Sequence, residues 1–509
     1  VVHGVRHKSD LVHAQLTMHL NSQANCRSRR MFVMNGISGD CRTLKINDPD
    51  LNTLNTALLE RVFFHNVDGQ YRLIEDPDER AVFGKLRNFR RSLVSILGIS
   101  SPVSPEQFAE MYTGRKRTIY DQAVVDFTTH GVRRRDAYSD SFVKCEKVPS
   151  NKAPRCIQPR RPVYNVAVGR YLKPVEHQIY SAIQKVFGSE TPVVVKGFNA
   201  VQTADILQKK FCRFEKPVCL GLDASRFDQH VSQQMLKWEH SIYNSMFQSP
   251  ELRKLLRWQI DNVGFGRCDD GWLEYKVKGK RFSGDMNTAL GNCLIMCAMV
   301  YSYAKERGVD IELANNGDDC VVFMEAEHLN KFSHELDEWF EDVGFVMTKE
   351  APVYNLHEVE FCQCKPVFGA HGLVMCRGFE KAREKDSICM FDISNPAAAS
   401  KWMGAVGECG LALTSGVPVF QEMYNAFVRH GAPSKLTQSV GWQSGMTMMS
   451  KGLHARYEDV TDNARYSFYI AFGITPDEQV ALESYYQQWK PTTNVDLDVS
   501  LSDIVSAPF

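Results

Sequence analysis

The chain has 509 residues, 44% apolar and 24% charged, the make-up of an ordinary globular protein with a sizeable core and roughly two to four domains or subdomains. Lys plus Arg and Asp plus Glu each total 60, so net charge names no partner. Fifteen cysteines without a CxxC pair exclude a zinc ribbon, and so long and apolar a chain needs no disulfide scaffold, so the thiols read as reduced and the compartment as cytosolic.

The chain opens on Val1 rather than Met, which suggests a piece of something longer. No secretory leader is read there, and no run of about 18 apolar residues predicts a bilayer span. Leu54, Leu58, Leu59 and Val62 recur at helical spacing and predict a helix over 51–64. Helical stretches follow over 79–97 and 104–111. From Arg115 to Arg161 twelve basic residues face five acidic ones, a local excess suited to a polyanion. Over 192–368 short apolar strands alternate with helices. Strands are expected at 218–222, 311–313, 321–324 and 345–348, and helices at 233–247, 292–305 and 328–343. A hairpin is expected around Trp272 to Val277, Gly279 and Arg281. This order suits an antiparallel sheet with helices on one face, an α+β fold. From about residue 380 the pattern is mainly helical, and 490–509 reads as a loose polar tail.

The sharpest local feature is Asn315-Asn316-Gly317-Asp318-Asp319-Cys320. Asn-Gly between apolar strands predicts a tight hairpin with two carboxylates at its tip. Adjacent like charges repel unless a cation neutralises them, and hard cations such as Mg²⁺ prefer carboxylate oxygens. The bland alternative is a solvated acidic turn, which is how Asp269-Asp270 reads. The strand at 218–222 ends at Asp223, with Asp228 five residues on. If the two strands pair, Asp223 meets the Asp318 turn, as two-metal phosphoryl transfer requires. Asp223 could otherwise cap a helix. The third element, SGDMNTALGN from Ser283 to Asn292, opens an apolar helix. Ser283, Thr288 and Asn292 offer short polar groups there, as ligands or as ordinary caps, and the glycines permit close approach of a ligand.

Asp223-x4-Asp228, SGDMNTALGN and Gly317-Asp318-Asp319, in this order, resemble motifs A, B and C of viral RNA-dependent RNA polymerases. The surrounding text resembles the tombusvirus-like polymerases of positive-strand plant viruses, over roughly residues 50–430. Supporting stretches are Gly114 to Tyr120, Pro154 to Arg160, Val168 to Leu172, Lys196 to Ala200 and Gly407 to Leu411. The resemblance implies a closed right hand: an N-terminal extension (1–75) bridging fingers and thumb, fingers (76–190 and 229–282), palm (191–228 and 283–370) and thumb (371–489), then the tail.

It also implies roles. Asp223 and Asp318 would be the main ligands of two Mg²⁺ or Mn²⁺ ions, with Asp319 a weaker one. Asp228 would accept from the ribose 2′-hydroxyl, directly or through Asn292 and Ser283, with Thr288 nearby. Lys144, Lys147, Lys152, Arg155 and Arg160 resemble motif F, lining the triphosphate path, with Arg155 the foremost. Arg115, Lys116, Arg117 and Gly284 would contact RNA. Lys349 falls where motif D has a proton donor for pyrophosphate. Phe361 to Pro366, with Cys364 and Lys365, resembles the primer-grip hairpin of motif E. Partners would be template and product RNA, ribonucleoside triphosphates, an auxiliary viral replication protein and host factors. The place would be the host cytoplasm at membrane-associated replication complexes, with membrane attachment only through an absent upstream region. Two other readings compete. A reverse transcriptase is opposed by Asp228, and an inactive RNA-binding or scaffold protein is opposed by the intact Asp223, Asp318 and Asp319.

Overall fold

Alternation of side chains along short strands organises the centre of the molecule. The computed structural model describes residues 1–38, 43–435 and 446–491. Its central antiparallel sheet has the order Glu312–Asn316, Asp319–Glu325, Pro217–Ala224, Met347–Lys349. Val218, Leu220, Leu222, Val322 and Met324 face one core, built on the helices Gln233–Phe247 and Thr288–Arg307. Cys219, Val321 and Phe323 face a second core, built on the helix Ala200–Cys212 and the hairpin Cys364–Gly369/Gly372–Arg377. Both faces are covered, so these strands read as continuous apolar runs.

A five-stranded sheet lies beside it, in the order Leu16–Leu20, Gly271–Lys278, Asp261–Cys268, Ser139–Val143, Cys156–Ile157. The helix Leu51–Leu58 buries Leu51, Leu54 and Leu58 against Leu273, Tyr275 and Val143. The N-terminal stretch then joins distant parts. Arg30–Val33 pairs with Ile388–Cys389, and the carbonyls of Asn35, Gly36 and Ile37 accept from Trp489, Tyr485 and Tyr486. The C-terminal part is mainly helical, as expected, with Pro396–Thr414, Phe420–His430, Asp462–Phe472 and Pro476–Gln488.

The mixed α+β class holds, and several elements need correction. The hairpin lies one strand earlier than expected: Asp261–Cys268 pairs with Gly271–Lys278 around the Asp269-Asp270 turn. That turn is not simply solvated, since the buried Asp270 accepts from the Leu51 amide at 3.0 Å and caps a helix. The helix expected over 328–343 breaks into Leu329–Ser333 and Leu336–Glu341, with Glu335 in the left-handed region at φ 53°. Helices Gly114–His130, Pro162–Leu172, Glu176–Phe187 and Ala200–Cys212 were not anticipated. Residues 492–509 of the expected tail lie outside the described residues. Among the described residues, no helix is long and apolar enough to cross a membrane, and the cysteines are free thiols.

Candidate active site

The sheet register gathers the acidic residues. Asp223, near the end of Pro217–Ala224, pairs directly with Asp319, and Asn316 pairs with Asp319 across the hairpin. Gly317 and Asp318 are therefore the two loop residues. Only Gly317 has a positive φ, 70°, the pattern of a two-residue turn with glycine first. The turn is braced. Asn315 Nδ2 donates to the Gly317 carbonyl at 2.8 Å, and the Gly317 amide donates to Cys293 Sγ at 3.2 Å on the helix behind. Asp223 and Asp318 open to solvent, while Asp319 is half-buried.

Their electrostatics record crowding. Desolvation, then the charge of Asp223, raises Asp318. Desolvation, then Asp318 and Glu350, pushes Asp319 up to about 6. Glu350 is raised in turn by desolvation, Glu360 and Asp223. Such a set of raised carboxylates suits a hard divalent cation. Among the described residues, no group of three or more His, Cys, Asp or Glu side chains is already gathered around an ion position. The fit is thus one of donor chemistry.

Asp228 sits in the short helix Phe227–His230, after Arg226 in the left-handed region at φ 51°. Asn292 Nδ2 donates to Asp228 Oδ1 at 2.9 Å, as the expected link between the two requires. Desolvation raises the Asp228 carboxyl, while Asn292 and Arg281 oppose that rise. The structure turns Ser283 elsewhere: its hydroxyl donates to the Cys156 carbonyl at 3.4 Å and accepts from the Gln158 amide at 3.3 Å. Thr288 donates to the Phe282 carbonyl at 2.7 Å. The glycines approach protein, not an open ligand space. A Cβ on Gly284 would stand 2.5 Å from Pro159 Cα, and one on Gly291 would overlap Arg281 and Glu239.

The basic expectations divide. The charge of Arg155 reaches both Asp318 and Asp228, and its guanidinium meets Glu146 at 3.4 Å. Lys144 pairs with the same Glu146 at 3.0 Å, and Lys152 is exposed. Arg160 is a correction. It is buried on Asp285 and also donates to Asn262 Oδ1 and the Ala137 and Trp258 carbonyls, leaving nothing for a phosphate. Lys147 is another. It donates to the Lys385 and Ile388 carbonyls at 2.5 and 2.6 Å, and burial pushes it down to about 8. Lys349 pairs with Leu222, one residue away from Asp223, so the pleat sends it to the opposite face. There it meets the Ser333 carbonyl at 2.9 Å and Asp337 at 3.3 Å. Cys364 is buried in the hairpin core, and the half-buried Lys365 donates to the Ala471 carbonyl at 2.9 Å.

Arg115, Lys116 and Arg117 form the first turn of Gly114–His130. Cations there oppose the helix dipole. Arg117 is partly answered by Asp121 at 2.7 Å, and Lys116 lies over the Tyr112 ring. Arg61 and Arg226 escaped the sequence reading. Arg61 donates to the Ala153 carbonyl at 2.8 Å and is lowered to about 10 by burial, then by Arg226 and Arg155. Three arginines thus crowd together, from residues distant in sequence, and no local signal announced it. Cys362, in the expected primer-grip stretch, ties the Asp318 turn to a cavity of about 520 Å³: it accepts from Asn316 Nδ2 at 3.6 Å and lines that cavity with Lys144, Arg377, Lys381 and Lys385.

An acidic strand-end centre, fronted by arginines and set in a mixed α+β frame, is the kind of site the fold defines. The chain belongs to the viral RNA dependent RNA polymerase family, whose model matches residues 17–494. Within that family it falls in the tombusvirus group. It is 42% identical over 487 residues to the RNA-directed RNA polymerase of maize chlorotic mottle virus, covering 94% of this chain and 50% of that protein. It is 42% identical over 480 residues to the turnip crinkle virus polymerase, covering 91% and 61%. Against the polymerase of tomato bushy stunt virus (strain Cherry) identity is 39% over 477 residues, covering 92% and 57%. The chain therefore spans half to three-fifths of the length of these relatives.

Proposed function

We propose that this chain is the catalytic part of an RNA-directed RNA polymerase that replicates a viral genome from ribonucleoside triphosphates, releasing pyrophosphate. One observation carries the reading: paired strand ends bring Asp223 to Asp319 and the Asp318 turn, beside an Asp228 already bound to Asn292. Asp223 and Asp318 would hold two Mg²⁺ or Mn²⁺ ions, with Asp319 joining more weakly. Bound there, the ions would ease deprotonation of a 3′-hydroxyl and neutralise charge on pyrophosphate. The remaining work falls to the chain's own residues. Arg155, with Arg61 and Arg226 beside it, compensates the triphosphate charge. Asp228 has one oxygen filled by Asn292 and one left to accept from a ribose 2′-hydroxyl. The basic first turn at Arg115 to Arg117 serves template phosphates.

The reading carries the right-hand division with it: fingers at 76–190 and 229–282, palm at 191–228 and 283–370, thumb at 371–489. The pairing of Arg30–Val33 with Ile388–Cys389, and of residues 35–37 with 485–489, supports the first 75 residues as the bridge. An auxiliary viral protein, host factors and membrane-associated replication complexes in the host cytoplasm belong to the wider proposal. The test is radiolabelled incorporation on RNA with a free or blocked 3′ end, with Mg²⁺ or Mn²⁺, offering ribo- and deoxyribonucleotides separately. Ribonucleotide incorporation that Asp318→Ala abolishes is expected. Incorporation indifferent to Asp318→Ala would refute the reading.

A further inference from the structure

Behind Asp228 lies a buried polar chain. Glu239, on the helix Gln233–Phe247, and Arg281 are 0% and 2% exposed and form an ion pair. Glu239 is fixed from its other side, since Tyr243 and Asn287 donate to Oε2 at 2.8 and 2.7 Å. Arg281 Nε donates to Asn292 Oδ1 at 2.9 Å, and Asn292 Nδ2 donates to Asp228 Oδ1 at 2.9 Å. The Arg281 amide also donates to the Asp228 carbonyl at 2.9 Å.

The chemistry of the donors orients the chain. A side-chain amide has one accepting end and one donating end. Arg281 can only donate, so the Asn292 oxygen must face it, and the Asn292 NH₂ must face Asp228. Without Arg281 the Asn292 oxygen loses its buried donor, so the amide is held at one end only and can swing together with the Asp228 carboxylate. A buried ion pair adds little net stability over apolar packing. Its presence here, with Gly291 stripped of a side chain to make room, points to a positional role.

We propose that Glu239 and Arg281 are positioning residues for sugar selection, holding Asp228 toward a ribose 2′-hydroxyl through the oriented amide of Asn292. The proposal rests on the reading of Asp228 as the ribose acceptor. The test measures kcat and KM for a ribonucleotide and its deoxy counterpart on one RNA template, for wild type, Asp228→Asn and Arg281→Lys, with a thermal melt of each. Lysine keeps a cation for Glu239 and cannot reproduce the Nε donation. Arg281→Lys is expected to lower the ribo-to-deoxyribonucleotide ratio of kcat/KM about ten-fold, chiefly through a higher ribonucleotide KM, and to leave deoxyribonucleotide incorporation near wild type. An equal fall for both sugars, with the ratio unchanged, marks a merely structural role and overturns the proposal. Should Arg281→Lys melt below the assay temperature, Glu239→Asp carries the test, because it keeps the charge and withdraws the anchor by one methylene. A ratio lowered by about three-fold or more supports the proposal, and an unchanged ratio overturns it. If Asp228→Asn itself leaves the ratio intact, the Asp228 reading fails and takes this one with it. If Asp228→Asn collapses the ratio and Arg281→Lys does not, only the role of Arg281 and Glu239 fails.

Discussion

Asp319→Asn removes a charge that the site's own surroundings oppose. Burial, Asp318 and Glu350 push this carboxyl from 3.8 up to about 6. A raised value means that the folded chain binds the proton more tightly than the unfolded chain does. The stabilising contribution is therefore complete below 3.8 and lost as pH climbs through about 6. At pH 7.5 both states are ionised and the folded chain bears the whole penalty. Two units of displacement correspond to about 3 kcal/mol at about 1.4 kcal/mol per unit. Solvent reaching the half-buried side chain reduces this to about 1–2 kcal/mol. Asparagine keeps the shape and carries no charge. In chelator at pH 7.5, Asp319→Asn should melt about 2 °C above wild type. The gap should close toward pH 4, and added Mn²⁺ should raise the wild-type melting point more than the variant's. A variant less stable than wild type at pH 7.5, or a gap indifferent to pH, would refute the reasoning.

Three further outcomes follow from where the side chains lie. Lys349→Ala should change kcat by less than about two-fold, against the hundred-fold or more expected of a proton donor in place, because its ammonium is held by Ser333 and Asp337 on the far face of the sheet; single-turnover rates decide it. Arg160→Met should cost about 3–5 kcal/mol in denaturant melts by stranding Asp285, and Arg160→Met with Asp285→Leu should recover much of it; a well-folded single variant with a raised nucleotide KM would restore Arg160 to the triphosphate. Lys147, lowered to about 8 by burial, is charged at a cost in the folded chain. Wild-type stability should therefore gain as pH rises from about 8 toward 10.5, a gain absent from Lys147→Met; equal pH profiles for the two proteins count against it.

Much was legible in the linear text where one residue type has one physical use. Asn-Gly with a following acidic pair announced the turn, and the apolar run before Asp223 announced its partner strand. The ordered motifs announced the family. Other expectations depended on where a side chain would point. Arg160 and Arg155 are five residues apart in one basic stretch, yet Asp285 takes the first into the core and the second stays at the cleft. Lys349 differs from its neighbours by one step of the pleat, and that step moved it from the carboxylates to the helices.

By itself the sequence determined the mixed fold and the converging acidic turn, because local spacing and hydrophobic rhythm suffice to place strands and tight turns; the Asp228–Asn292 partnership came only with the resemblance to the polymerase motifs. Tertiary structure alone decided which cations remain available. A lysine or arginine is the same letter whether it meets a carboxylate from a hundred residues away, as Arg160 does, a distant carbonyl, as Lys147 does, or open solvent, as Lys152 does. Burial and partner choice arise only when remote segments pack, and they govern the strength and even the direction of a charge's effect.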